Sequence, residues 1–406
     1  MDGTNGCTGG GNRRQFLKTT AAAGALASAA TATAIADEPA KVPTVVLGKT
    51  GQTVSRLGMG TSWTVAPSFV QLAIAGGVRF IDTAQGYENG NSEKTIGEVL
   101  ERTKKRKDVY LVSKTSKYRQ AVGDQARPML ERELVGSLGR LRTDYLDSFY
   151  LHGMTGANIP MLSDPGVKAA FEAFKKAGKI RYAGLSCHDA KLVQVVEAAA
   201  ACGWIDQIMI QYNYRTMDAD SLKRAVDAAS KANIGLVAMK TQGGAEELSV
   251  DDARKLKPLA AGIDKGFNKS QAAIKAVLAD ERFHVVVSEM TNRDQLRENT
   301  AAIVSPLSAK EARLLEEHRA KTANLYCHGC GHLCETAAHG VPVATVLRYL
   351  RYYQAYGKRS EARALYAALP AAARAAAEVD LAAAEAACPH GLPVAQLVQI
   401  ADRRLG

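Results

Sequence analysis

Beyond its first 36 residues the chain has no run of the ~18 uninterrupted apolar residues that a membrane span requires, so no stable span is expected once those residues are removed. No Gly-x-Gly-x-x-Gly turn stands where a doubly wound dinucleotide-binding sheet would need one, which leaves that architecture as the runner-up. Aromatic residues make up only 6 % of the chain, and none is interleaved with its basic tract, Lys104-Lys105-Arg106-Lys107. The tract reads as a solvated helix end beside a C-terminal dipole, and no nucleic acid is expected as partner. The net charge of +11 is spread along the chain. With 406 residues, 47 % hydrophobic and 23 % charged, the length and composition suit a soluble globule of one large domain and a smaller one.

The N-terminus stands apart. Asn12-Arg13-Arg14-Gln15-Phe16-Leu17-Lys18 precedes a weakly apolar Ala/Thr/Gly run that closes at Ala34-Ile35-Ala36. A basic region, an apolar region and a small-residue cleavage site are the parts of an export signal. The paired arginines resemble a twin-arginine signal, which predicts the twin-arginine export machinery as partner and the periplasm as destination. A disordered Ala-rich tail is the alternative. Residues 37–43 read as a linker.

From residue 44 onward strand and helix patterns alternate. Thr44 to Ser55 reads as a hairpin with its turn at Lys49-Thr50-Gly51. Strands are expected at 56–61, 79–82, 109–114, 145–151, 180–186, 206–212, 234–240 and 283–288. Helices are expected at 67–75, 92–103, 126–141, 165–177, 190–202, 220–232, 270–279 and 293–303. Eight strand–helix units predict an α/β fold of the (β/α)8 TIM-barrel type, with 153–164 and 241–266 as long loops at its mouth. The ends of three successive strands carry Asp82 with Tyr87 in the loop beyond, Lys114 and His152. Taken singly, these are a helix cap, a surface phenol, a solvated lysine and a satisfied histidine. At neighbouring strand ends they make a catalytic constellation.

Leu47-Gly-Lys-Thr-Gly51, Asp82-Thr-Ala with Tyr87, Leu141-Arg-Thr-Asp-Tyr-Leu-Asp147 with His152, Gly184-Leu-Ser186, Gln211-Tyr-Asn213 and Ala238-Met-Lys240 resemble the aldo/keto reductase superfamily. The resemblance covers about 44–305, and the barrel domain is placed at 44–318. It implies hydride transfer between NADP or NAD and a small-molecule carbonyl substrate. Tyr87 would be the general acid, Lys114 would lower the phenol's pKa, Asp82 would hold Lys114, and His152 would orient the substrate oxygen. The resemblance also implies a cofactor groove. Gly60, Thr61 and Asp82 lie on the first strand ends, Ser186 and Gln211 at the nicotinamide amide, and Met239 and Lys240 beside the ring. Ser288, Glu289, Gln295 and Asn299 lie toward the adenosine. Cys187 replaces an Asn of many relatives, and Met239 a stacking Tyr. Glu289 occupies a place that commonly carries a basic residue for the 2′-phosphate, which predicts weakened discrimination between the two dinucleotides.

Of the seven cysteines, Cys7 lies in the signal, and Cys187 and Cys202 read as core residues. Cys327, Cys330, Cys334 and Cys388 fall in a tail, 319–406, with helical patterns at 342–356, 359–368 and 371–387. Ala338-His-Gly-Val-Pro-Val-Ala344 repeats as Pro389-His-Gly-Leu-Pro-Val-Ala395. Two such copies resemble a two-cluster ferredoxin reduced to the ligands of one cluster, with Cys388 crossing over from the second copy. A branch of the same superfamily carries such an extension. A 4Fe-4S cluster is therefore expected on these four cysteines; zinc and paired disulfides are the alternatives. Two rival functions remain from the sequence: an accessory protein built on the same barrel, and an electron-transfer protein centred on the cluster.

Overall fold

A computed structural model describes residues 42–63, 66–242, 268–354, 356–374 and 379–406. The segments expected to be an export signal and, for the most part, the expected linker and the loop at 241–266 lie outside the described residues. Short strands β1 (Thr44–Val46) and β2 (Thr53–Ser55) pair antiparallel as the expected hairpin. Eight further strands follow: β3 (Leu57–Gly60), β4 (Phe80–Asp82), β5 (Tyr110–Thr115), β6 (Leu146–Leu151), β7 (Ile180–Cys187), β8 (Gln207–Gln211), β9 (Gly235–Met239) and β10 (Val285–Glu289). They close in sequence order into a parallel barrel, with β10 pairing β3. Intervening helices include Pro67–Ala75, Asn91–Thr103, Ala126–Leu141 and Arg293–Ile303. The expected barrel is the observed one.

Parallel strands covered on both faces need apolar side chains on both faces, and β5 and β6 are buried at every residue. One set of side chains, including Phe80, Val112, Tyr150, Met209, Val237 and Val285, fills the barrel's interior, and Leu47 from the hairpin joins it. The other set, with Ile81, Leu111, Phe149 and Leu185, packs against the helices. Gly184 has to be glycine: a Cβ there would run into the Tyr150 ring on the neighbouring strand.

The basic tract departs from expectation. Lys104 ends its helix in the left-handed region, but Arg106 turns inward to the buried carboxylate of Asp147 at 3.0 Å and donates to the Tyr145 carbonyl at 2.9 Å. A buried carboxylate needs a partner, and that outweighs solvation of one cation of the four.

The tail forms helices at Val343–Gln354, Arg359–Ala367, Ala371–Arg374, Ala382–Ala386 and Val394–Leu405 around a core of its own, with Leu347, Leu350, Tyr366, Val398 and Ala401 buried. The helices Ala309–Thr322 and Val394–Leu405 have no counterpart in the sequence patterns, and of the pattern at 371–387 the described residues show helix at Ala371–Arg374 and Ala382–Ala386, with 375–378 outside them. The repeat is structural. Each copy leads into a helix whose second residue donates its backbone N–H to a glutamate upstream: Ala344 to Glu335 at 2.9 Å, Ala395 to Glu385 at 3.1 Å. Among the described residues no helix is long and apolar enough to cross a membrane.

Candidate active site

Asp82 is the last residue of β4, Lys114 the fifth of the six in β5, and His152 directly follows β6. In a parallel barrel all such ends share one rim. Past β4 the chain makes a short 3-10 turn, Tyr87–Gly90, in which Glu88 and Asn89 take positive φ values of 49° and 53°. Two consecutive left-handed non-glycine residues are strained, and that turn sets Tyr87 over the rim. Lys114 Nζ lies 2.7 and 2.8 Å from the two Asp82 carboxylate oxygens. It donates to the Thr83 carbonyl at 2.8 Å and to the Tyr87 hydroxyl at 3.2 Å. The His152 ring meets the Tyr87 ring edge-on, centroids 5.5 Å apart. The four residues singled out in the sequence therefore come together.

Their electrostatics differ from the expectation in one respect. Burial, aided by the Asp82 carboxylate, pushes the Tyr87 phenol well above its ordinary range instead of lowering it. The Lys114 charge is already spent on Asp82, so the pair is close to neutral as seen from the phenol. Burial also lowers Lys114 and raises Asp82, while each favours the other's charged form. Burial, with the Lys114 and Arg119 charges, holds His152 well below its usual value, so the imidazole is neutral.

The residues expected around a dinucleotide are at strand ends or, for Gln295 and Asn299, on the helix Arg293–Ile303, but several are engaged within the protein. Thr61 donates to the Asp82 carbonyl at 2.9 Å, and β3 ends at Gly60 beside it. Ser186 accepts from the Gly153 N–H at 2.9 Å. Asn299 donates to Ser288 at 3.0 Å, and Gln295 accepts from the Thr291 N–H at 2.8 Å. Met239 ends β9 against the barrel interior. Glu289 is exposed at the end of β10, and its carboxylate accepts from Ser62 at 2.9 Å and from the Trp63 N–H at 2.8 Å, which ties it to the loop after β3.

Sequence reasoning missed the tail's reach. Lys240, at φ 55°, donates to the Tyr352 hydroxyl at 2.9 Å, Arg348 donates to the His188 carbonyl at 2.8 Å, and Lys358 donates to the Ser62 carbonyl at 3.2 Å. The helix Val343–Gln354 thus lies against the barrel rim, and a cavity between them opens on Gln211, Lys240, Arg348 and Tyr352. The wealth of Arg and Tyr in the tail was the available signal, but nothing in it named barrel partners.

Within the tail, Cys327, Cys330, Cys334 and Cys388 line one small cavity and act on one another electrostatically in every pair. None is in a disulfide. Burial pushes the Cys327, Cys330 and Cys334 thiols up to about 11. Among the described residues no three or more His, Cys, Asp or Glu side chains are grouped as around a metal ion.

Residues 59–320 match the aldo/keto reductase family, nearly two-thirds of the chain, and the chain belongs to that family. The match stops short of the cysteine-bearing tail. Among similar proteins, the uncharacterized oxidoreductase YqkF of Bacillus subtilis is 25 % identical over 67 % of this chain and 95 % of its own length. The NADH-specific methylglyoxal reductase of Escherichia coli is 26 % identical over 68 % and 97 %. An aldo-keto reductase from Klebsiella pneumoniae, solved in complex with NADPH, shares the fold at a TM-score of 0.52 and 23 % identity, covering 68 % of this chain and 95 % of that one.

Proposed function

We propose that this chain is an exported, nicotinamide-dependent carbonyl reductase in which Tyr87 is the proton donor. The observation that carries the reading is the Lys114 ammonium, which spans the Asp82 carboxylate and the Tyr87 hydroxyl on a barrel rim. A nicotinamide held at the strand ends would supply the hydride for the carbonyl carbon. As negative charge develops on the carbonyl oxygen, the Tyr87 hydroxyl gives up its proton to it. A phenol held above its ordinary range is protonated at neutral pH and ready to do so. The phenolate left behind keeps the hydrogen bond that Lys114 donates, Asp82 keeps Lys114 charged and in place, and the neutral His152 directs the substrate oxygen by a hydrogen bond.

The strand-end residues Gly60, Thr61, Ser186, Gln211, Met239 and Lys240 would hold the nicotinamide side, and Ser288, Gln295 and Asn299 the adenosine side. Family membership and a relative named for NADH support a dinucleotide, with NAD and NADP both open. We assign residues 1–36 to a twin-arginine signal, 44–318 to the barrel and 319–406 to the tail domain. In the tail, four reduced thiols facing one space fit a 4Fe-4S cluster, which takes one thiolate at each iron. A single zinc ion on the same four thiols is the alternative. The purified protein should consume NADH or NADPH in step with a simple aldehyde, one for one. An accessory protein would bind the dinucleotide and leave the aldehyde intact, and that result would end the reading.

A further inference from the structure

We propose that the cavity between the barrel rim and the tail recognises an anionic group, a carboxylate or a phosphate, on the carbonyl substrate. The inference rests on the reductase reading for where the carbonyl lies, and it adds the chemical class of the substrate.

The charges lining the cavity are of one sign. Lys240 and Arg215 come from the barrel and Arg348 and Arg351 from the helix Val343–Gln354, while among the described residues no Asp or Glu lines it. Elsewhere the described barrel satisfies its buried cations with carboxylates, as in Lys114 with Asp82 at 2.7 Å and Lys275 with Glu311 at 2.8 Å. Lys240, Arg348 and Arg351 have no such partner among the described residues. Asp189 acts on Arg348 only from beyond ion-pair range. Arg348 Nε, Arg351 Nη2 and His188 Nδ1 are buried without a hydrogen-bond partner. Buried guanidinium N–H groups left unpaired are destabilising, and so is the crowding of like charges: Arg348 and Arg351 both disfavour the charged form of Lys240. An anion offering two or three acceptor oxygens relieves both at once, and guanidinium groups match carboxylate and phosphate in shape.

The position fits a substrate. His188, Gln211 and Lys240 lie at or just past the ends of β7, β8 and β9, so the cavity is on the same rim of strand ends as the carbonyl-reducing residues. Ser288, Gln295 and Asn299, expected toward the adenosine, do not line it, while Gln211 and Lys240 from the nicotinamide side do, so the anion would sit beside the nicotinamide end. A carbonyl placed between Tyr87 and His152 could thus extend its charged end beneath the tail. Three of the groups involved, Arg348, Arg351 and Tyr352, lie outside the family match, so the tail would confer a substrate preference that the barrel alone lacks.

The test compares 4-carboxybenzaldehyde with its methyl ester, using the full-length processed protein and its Arg351→Gln and Arg351→Lys variants. The wild type should favour the acid. In Arg351→Gln the acid-to-ester ratio of kcat/KM should fall ~10- to 100-fold, the loss expected for one charge-assisted hydrogen bond, and Arg351→Lys should restore part of it. Dinucleotide affinity, followed by fluorescence, and the melting temperature should stay near wild type. A wild type indifferent to the acid, or a ratio unchanged in Arg351→Gln, overturns the proposal. If the ratio holds while dinucleotide affinity falls, the cavity serves the dinucleotide's own phosphates instead. Calorimetric binding of benzoate needs no turnover. Binding that weakens in Arg351→Gln keeps the anion site even if neither aldehyde is reduced, whereas no binding and no acid preference reject it.

Discussion

Replacing Tyr87 by phenylalanine removes one oxygen from the site and little else. Lys114 Nζ keeps both Asp82 oxygens and the Thr83 carbonyl, and loses only its 3.2 Å bond to the phenol. The cost to folding should therefore be that of a single hydrogen bond, about 0.5–1.5 kcal/mol. The cost to turnover should be much larger, ~10²- to 10⁴-fold, because the proton donor is gone. The assay follows nicotinamide absorbance with a simple aldehyde, alongside dinucleotide titration by fluorescence and thermal melting. The pH profile is a second readout. The phenol's pKa is raised, so the donor form is fully populated below it, and wild-type carbonyl reduction should show no loss from Tyr87 between about pH 6 and 9. Alcohol oxidation needs the phenolate and should rise with pH across that range. Full turnover in Tyr87→Phe, or a wild-type reduction rate that collapses above pH 7, would refute the assignment.

Lys114→Met should be the more damaging change to the fold, since it strands a buried Asp82 charge at a cost of about 3–5 kcal/mol, and a melting temperature equal to wild type would show the pair to be dispensable. Cys388→Ala should lower iron content and visible absorbance of anaerobically purified protein, although Cys388 is far in sequence from Cys327, Cys330 and Cys334; full iron content, or zinc in place of iron, would overturn the crossed ligand set. Arg13→Lys with Arg14→Lys keeps the charge but removes both guanidinium groups, and the protein should then remain unprocessed in the cytoplasm; normal processing would point to a general secretory route. Glu289→Lys should free the Ser62–Trp63 loop and move dinucleotide preference only modestly; a large switch toward NADP would mean that residue 289 faces the ribose after all.

The barrel was legible because its signals are local. Runs of apolar residues spaced by helical patterns place each strand, and the strand's last residues are the ones a parallel barrel presents on one rim. Asp82, Tyr87, Lys114 and His152 are therefore grouped by the sequence alone. The cysteine set was legible for a related reason: a repeated His-Gly-x-Pro unit marks two copies of one motif, with three cysteines in the first and Cys388 in the second, and Cys327, Cys334 and Cys388 share a core.

Two things were decided only by the tertiary structure. One is the state of the phenol. The sequence puts a lysine near a tyrosine, which argues for a lowered pKa, but the folded site buries both and spends the lysine's charge on Asp82, so desolvation prevails. The other is the tail's place against the rim. Lys240 with Tyr352, His188 with Arg348 and Ser62 with Lys358 are separated by 112, 160 and 296 residues. Helical periodicity tells which face of Val343–Gln354 is apolar, but the polar face carries no local mark of its partner. Which strand ends it meets depends on how the tail's own core packs, and that is a property of the whole fold.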